Sequence, residues 1–154
     1  MSHYYLDASA LVKRYVDEAG SDWLRATVAP VRLSLLFTSR MTIVEVISAF
    51  ARRVRDGSLT FEEFATARDV FRGDCLNEYQ IMPPTMTVID LTCALLERHP
   101  LRAYDATHLA TALGAQQFLV AQGYPPLTFL CADDRLNRSA TVEGLAVDNP
   151  SHHP

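Results

Sequence analysis

The chain has a single lysine, Lys13, and only three cysteines, Cys75, Cys93 and Cys131. The cysteines are odd in number, widely spaced and form no CxxC pair, which argues against a disulfide framework and against a zinc site. No apolar run is long enough to cross a bilayer. The N-terminus lacks a charged segment followed by an apolar stretch, so no secretory signal is expected. Internal repeats, low-complexity segments and a dividing linker are all missing. These absences point to a cytoplasmic protein with reduced thiols and no membrane partner.

What is present is 154 residues with a hydrophobic fraction of 49%, enough to bury the core of one globular domain. Residues 1–149 are expected to form that domain, and residues 150–154 a disordered tail. Strand patterns are expected at His3–Ser9, Leu33–Thr38, Tyr79–Met82, Leu127–Ala132 and, as an edge, Gly144–Asp148. Helical patterns fall between them. Ala10–Ala29 has a break near Gly20 and stops at Pro30. A helix from Ser39 or Arg40 to Arg55 carries Ile43, Val46, Ile47, Phe50 and Val54 at the spacing of one buried face. Thr60 and Glu63 make a capping box for a helix reaching Cys75. Met86–Arg98 closes before Pro100. Ala103–Gln122 is rich in alanine, and Asp133–Ser139 is a short helical segment. Strands alternating with helices imply a parallel sheet covered on both faces, with its functional crevice at the carboxyl ends of the strands.

Four acidic residues sit in apolar settings. Asp7 ends the run Tyr4-Tyr5-Leu6. Glu45 interrupts Thr42-Ile43-Val44 and Val46-Ile47. Asp105 opens the alanine-rich helix. Asp133 follows Leu127–Ala132. Carboxylates among apolar residues are costly unless they are paired or bind a cation. None of the four has an adjacent basic partner in sequence, so a pocket for a hard divalent metal is expected. Asp7 and Asp105 are the expected direct ligands, with Glu45 and Asp133 completing the site. Asp134 is an alternative to Asp133. Ser9 could hydrogen-bond a ligand water or a phosphate, and Thr42 shares a helix face with Glu45. The net charge is −4, from 18 acidic and 14 basic residues, which at first argues against a nucleic-acid partner. Setting the four site carboxylates aside leaves 14 against 14, and all the basic residues but one are arginines suited to phosphate. Arg52, in the run Arg52-Arg53-Val54-Arg55, is the candidate phosphate contact.

Each acid also has an ordinary reading. Asp7 and Asp105 could cap or favour helix starts, Asp133 could be a turn residue, and Glu45 could be a solvent-facing helical residue. His108, one turn after Asp105, could reach the site or simply pack beside its helix. Four such acids on one sheet edge are improbable by chance.

Four segments resemble the motifs of PIN domains in order: Tyr5-Leu6-Asp7-Ala8-Ser9-Ala10-Leu11, Ser39–Val46, Leu101–Ala112 and Leu130–Leu136. Cys131 departs from the pattern, which often has Thr or Ser there. At this length the chain resembles VapC-type toxins. The resemblance implies a three-layer PIN-like α/β fold with a central, mostly parallel β-sheet flanked by helices. It implies an endoribonuclease dependent on Mg²⁺ or Mn²⁺, acting on RNA at Asp7, Glu45, Asp105 and Asp133. It also implies a homodimer inhibited by a VapB-like antitoxin. The apolar segment Leu59–Phe71, with Phe61, Phe64, Val70 and Phe71, offers a docking groove for that antitoxin or closes the protein's own core. Two other readings compete. One is a catalytically inert PIN-like RNA-binding or scaffold module. The other is a phosphatase with Asp7 as nucleophile, for which Ser9 stands where a second Asp would be needed.

Overall fold

The computed structural model of the protein describes residues 1–29 and 33–153. The elements run β1 (Tyr4–Leu6), α1 (Ala8–Tyr15), α2 (Ser21–Val28), β2 (Leu36–Ser39), α3 (Arg40–Arg55), α4 (Phe61–Asn77), β3 (Tyr79–Met82), α5 (Met86–Arg98), α6 (Ala103–Ala121), β4 (Thr128–Leu130), α7 (Asp134–Val142) and β5 (Ala146–Asp148). All five strands pair in parallel, in the order β3-β2-β1-β4-β5. The expected three-layer arrangement is present, and the sheet is wholly parallel.

Alternation along the strands explains the layers. Tyr5, Phe37 and Phe129 point to one face, where Leu95 of α5, the buried alanines of α6 and Leu136 of α7 cover them. Leu6, Leu36 and Leu130 point to the other, against Leu11, Leu24, Val46, Phe50 and Phe71 from α1 to α4. Ala106, Ala110, Ala112 and Ala115 are fully buried, so their small side chains let α6 lie close to its neighbours. Among the described residues, no helix is long and apolar enough to cross a membrane.

The strands are shorter than their apolar runs because caps intervene. β1 ends at Leu6, and Asp7 turns the chain by accepting the Ala10 amide at 2.9 Å. The capping box at Thr60 and Glu63 closes in both directions. The buried stripe of α3 is Thr42, Val46 and Phe50, with Ile43 and Ile47 only partly covered. Pro30, the expected helix stop, lies outside the described residues.

Residues 150–153 do not fray. Asn149 caps a 3-10 helix at Pro150–His152, Pro150 is buried, and the His153 ring stacks on Trp23 at 3.9 Å between centroids. Gly20 makes this docking possible. Its φ of +84° is left-handed, and a Cβ there would collide with the Pro150 carbonyl. Gly20→Ala is therefore expected to destabilise the protein by more than about 1 kcal/mol. At this chain length each such kcal/mol lowers Tm by about 2–4 °C. An unchanged melting curve would show that the tail contributes nothing.

Candidate active site

Parallel connectivity brings the ends of β1 and β4 side by side. A cleft of about 900 Å³ opens there between α1, α3, α6 and the start of α7, and Asp7, Glu45, Asp105 and Asp133 all line it. Ser9 and Arg52 line it as well.

Asp7 is the deepest of the four acids, only 5% exposed. Its capping bond to Ala10 uses one carboxylate oxygen. The Ser9 hydroxyl donates to that carboxylate at 2.7 and 2.9 Å, and the Cys131 thiol donates to Oδ2 at 3.1 Å. Burial holds the Asp7 carboxyl above its ordinary range, although the charge on His108 and the bonds from Ala10, Ser9 and Cys131 pull the other way. Burial also pushes the Cys131 thiol far up, helped by the charge of Asp7, so it remains a donor. Ser9 in turn accepts the Ala132 amide at 2.9 Å, joining the ends of β1 and β4. Asp7 is thus both helix cap and cleft residue.

Glu45 sits on the side of α3 that faces the cleft. His108 Nε2 reaches its carboxylate at 2.7 Å, and the Tyr5 hydroxyl meets His108 Nδ1 at 2.9 Å. His108 is 2% exposed. Burial alone would lower its pKa. The hydrogen bond with Glu45 and the charges of Asp7, Glu45 and Asp105 outweigh that and hold it above the ordinary value. Sequence alone left His108 between site and packing. The signal was a titratable ring one turn past Asp105 in a helix rich in alanine.

Two of the acids have basic neighbours that sequence adjacency missed. Asp105 accepts from Arg102 Nε at 3.1 Å, and Asp133 lies 3.7 Å from the Arg135 guanidinium. Both arginines are largely solvent-exposed, so these pairs hold their acids only weakly. Asp133 also caps α7 through the Arg135 amide. Asp134 is turned toward the tail instead. It accepts from Asn149 at 2.7 Å and meets His152 at 3.3 Å, and the Asn149 bond holds it below the usual carboxylate range. Of the two neighbouring acids, Asp133 is the one lining the cleft.

Thr42 does not belong to the site. It is fully buried, accepts from the Thr38 hydroxyl at 2.8 Å and does not line the cleft. Although Thr42 and Glu45 are three residues apart, the former lies in line with Val46 and Phe50 against the sheet. Arg52 is exposed at the cleft wall and, among the described residues, has no ion-pair partner. Its neighbour Arg53 is engaged by Glu18, which also binds Lys13 at 2.9 Å.

The donors about the cleft are carboxylates, which suit a hard cation rather than a soft one. Among the described residues, no three His, Cys, Asp or Glu side chains converge as a ligand group.

Residues 4–122 match the PIN domain family. Ribonuclease VapC45 of Mycobacterium tuberculosis (strain CDC 1551 / Oshkosh) is 34% identical over 143 residues, covering 93% of this chain and 92% of that protein. Among solved structures, FitAcB from Neisseria gonorrhoeae superposes with a TM-score of 0.69 at 16% identity, covering 97% of this chain and 99% of that one. A toxin–antitoxin complex from Klebsiella pneumoniae gives 0.63 at 15% identity, covering 96% and 97%. The PIN domain match over most of the chain, together with the nearly full-length relative, shows that this chain belongs to the PIN domain family, in its VapC branch.

Proposed function

We propose that this protein is a Mg²⁺- or Mn²⁺-dependent endoribonuclease and the toxin of a toxin–antitoxin pair. The observation that carries this reading is the gathering of Asp7, Glu45, Asp105 and Asp133 around one cleft at the carboxyl ends of β1 and β4. Likeness to a protein named as a VapC ribonuclease supports RNA as substrate. The intact acidic set about the cleft favours the enzyme over an inert binding module. RNA as substrate makes the cytoplasm its place of action.

Asp7 and Asp105 would hold the metal directly, with Glu45 and Asp133 acting on metal-bound waters or a second ion. A bound divalent ion supplies an activated water and charge stabilisation for the leaving oxygen. The protein's own residues supply the placement. Ser9 and Cys131 fix the Asp7 carboxylate, so Ser9 supports a site residue rather than reaching out to RNA. Arg52 is placed to take a phosphate beside the scissile bond.

The Klebsiella complex supports an antitoxin as partner. A second groove of about 890 Å³ lies between α1, the end of α3 and α4, lined by Tyr15, Leu59, Thr66 and Val70 among others. Phe61 and Val70 are exposed beside or within it, and a partner helix would cover them there. A homodimer is supported by Met86, Ile89, Cys93 and Leu96, exposed along one stripe of α5.

Mg²⁺ is expected to raise Tm, because a ligand of the native state alone stabilises it by about 2.7 kcal/mol at a hundredfold excess over Kd. Asp105→Asn should lose most of that shift while keeping the same Tm without metal. A scan showing no shift at high Mg²⁺ or Mn²⁺ would remove the metal from this reading.

A further inference from the structure

We infer that His108 is a positioning residue that holds Glu45 in the cleft, with Tyr5 fixing the imidazole from behind. This inference rests on the proposed function of the carboxylate cleft. Its own support is a chain of three side chains, Tyr5 and His108 buried and Glu45 partly so, running from the core to that cleft.

Tyr5 is the central residue of β1 and is fully buried. Its hydroxyl meets His108 Nδ1, and His108 Nε2 meets Glu45, at 2.9 and 2.7 Å. The two contacts join β1, α6 and α3, which lie 103 and 63 residues apart in sequence at the bonded positions. The chemistry fixes the direction of the outer bond. An ionised carboxylate can only accept, so Nε2 must carry the proton. The Tyr5 hydroxyl can donate to a neutral ring or accept from a charged one. Nε2–H therefore stays on Glu45 in either charge state, and the positioning does not depend on titration.

Glu45 needs this support more than Asp7 or Asp133 does. It projects from the middle of α3 on a long side chain that is 26% exposed, and no other side-chain bond holds it among the described residues. Asp7 has three donors, whereas Asp133 caps its own helix. Without His108 the Glu45 carboxylate is free to swing toward solvent. One helix turn of α6 then carries both Asp105 for the cleft and His108 for its neighbour on α3.

The test uses full-length His108→Leu, His108→Gln and Tyr5→Phe, read by single-turnover RNA cleavage at saturating Mg²⁺, by Mn²⁺ calorimetry and by Tm. Loss of a group that orients a metal-site carboxylate costs about 10–100-fold in affinity or activity. His108→Leu should fall in that range in cleavage or in Mn²⁺ affinity. His108→Gln, which keeps an N–H donor near Nε2, should recover most of the loss, and Tyr5→Phe should show a smaller one. In a Glu45→Ala background, His108→Leu should change the Mn²⁺ Kd no further, because its effect runs through Glu45. A merely structural histidine would lower Tm, show no rescue by Gln and add its effect to that of Glu45→Ala, and this outcome would overturn the inference. If His108→Leu fails to fold, His108→Gln and Tyr5→Phe decide by their rates and Mn²⁺ affinities, and a loss with Gln as large as with Glu45→Ala counts against it. His108→Leu at wild-type rate with Asp7→Asn inactive would sink the inference and leave the proposed function standing. A wild-type protein that binds no Mn²⁺ and cleaves no RNA would remove both.

Discussion

Asp7→Asn is expected to abolish RNA cleavage while leaving the protein folded and at least as stable as wild type. The activity loss should reach about a thousandfold, since metal-site charge stabilisation is worth several kcal/mol and each 1.36 kcal/mol is about tenfold in rate. The stability expectation follows from the sign of the pKa shift. A carboxyl held above its unfolded value favours the folded state when protonated, and that advantage is lost as pH rises through its unfolded and folded values. At neutral pH the ionised Asp7 is therefore a liability to folding in the metal-free protein, and Asn removes it. Asparagine keeps an acceptor for the Ala10 cap, and the Ser9 hydroxyl can turn to accept from its amide. Melting curves in chelator should show Tm equal to or above wild type. A marked fall in Tm would mean that the charge serves as a structural cap first, and full cleavage would exclude Asp7 from the site.

Phe71→Ala is expected to cost about 3–5 kcal/mol, the range for emptying a buried phenylalanine site. Phe71 is fully buried between Tyr15, Phe50 and Tyr79, with ring centroids at 5.3, 6.3 and 6.5 Å. The apolar excess of Leu59–Phe71 thus divides between two uses. Phe71 and Ala67 close the core, while Phe61 and Val70 stand exposed at 71% and 52%. Phe61→Ser with Val70→Ser should leave Tm within about 0.5 kcal/mol-equivalent of wild type, as surface changes do. It should also weaken binding of the cognate antitoxin if α4 is the docking face. Chemical denaturation separates the two variants, and equal destabilisation by both would contradict the division.

The order of strands and helices was legible because punctuation marked it. Thr60 with Glu63, Asp56-Gly57, Pro83-Pro84 and His99-Pro100 bound elements whose interiors carry regular apolar spacing. The cleft acids were legible because carboxylates are rare within apolar runs. What misled is the one-dimensional view of a helix face. Thr42 and Glu45 lie three residues apart, yet the packing of α3 on the sheet turns one inward and the other to the cleft. Adjacency in sequence hid the spatial partners Arg102 and Arg135, and it could not choose between Asp133 and Asp134. That choice is made by Asn149 and His152, fifteen and more residues downstream, in a tail whose Pro, Ser and His content resembles a frayed end. The stacking of His153 on Trp23 has no local pattern to announce it. His108 shows the same limit, since its partners Tyr5 and Glu45 come from elements distant in the chain.

In the proposed function the carboxylate cleft acts on RNA through a bound divalent ion. Purified wild-type protein, freed of antitoxin, should cleave RNA in Mg²⁺, stop when the metal is chelated, and resume when Mg²⁺ or Mn²⁺ is restored. Cleavage that persists unchanged in excess chelator would exclude a divalent ion from the reaction.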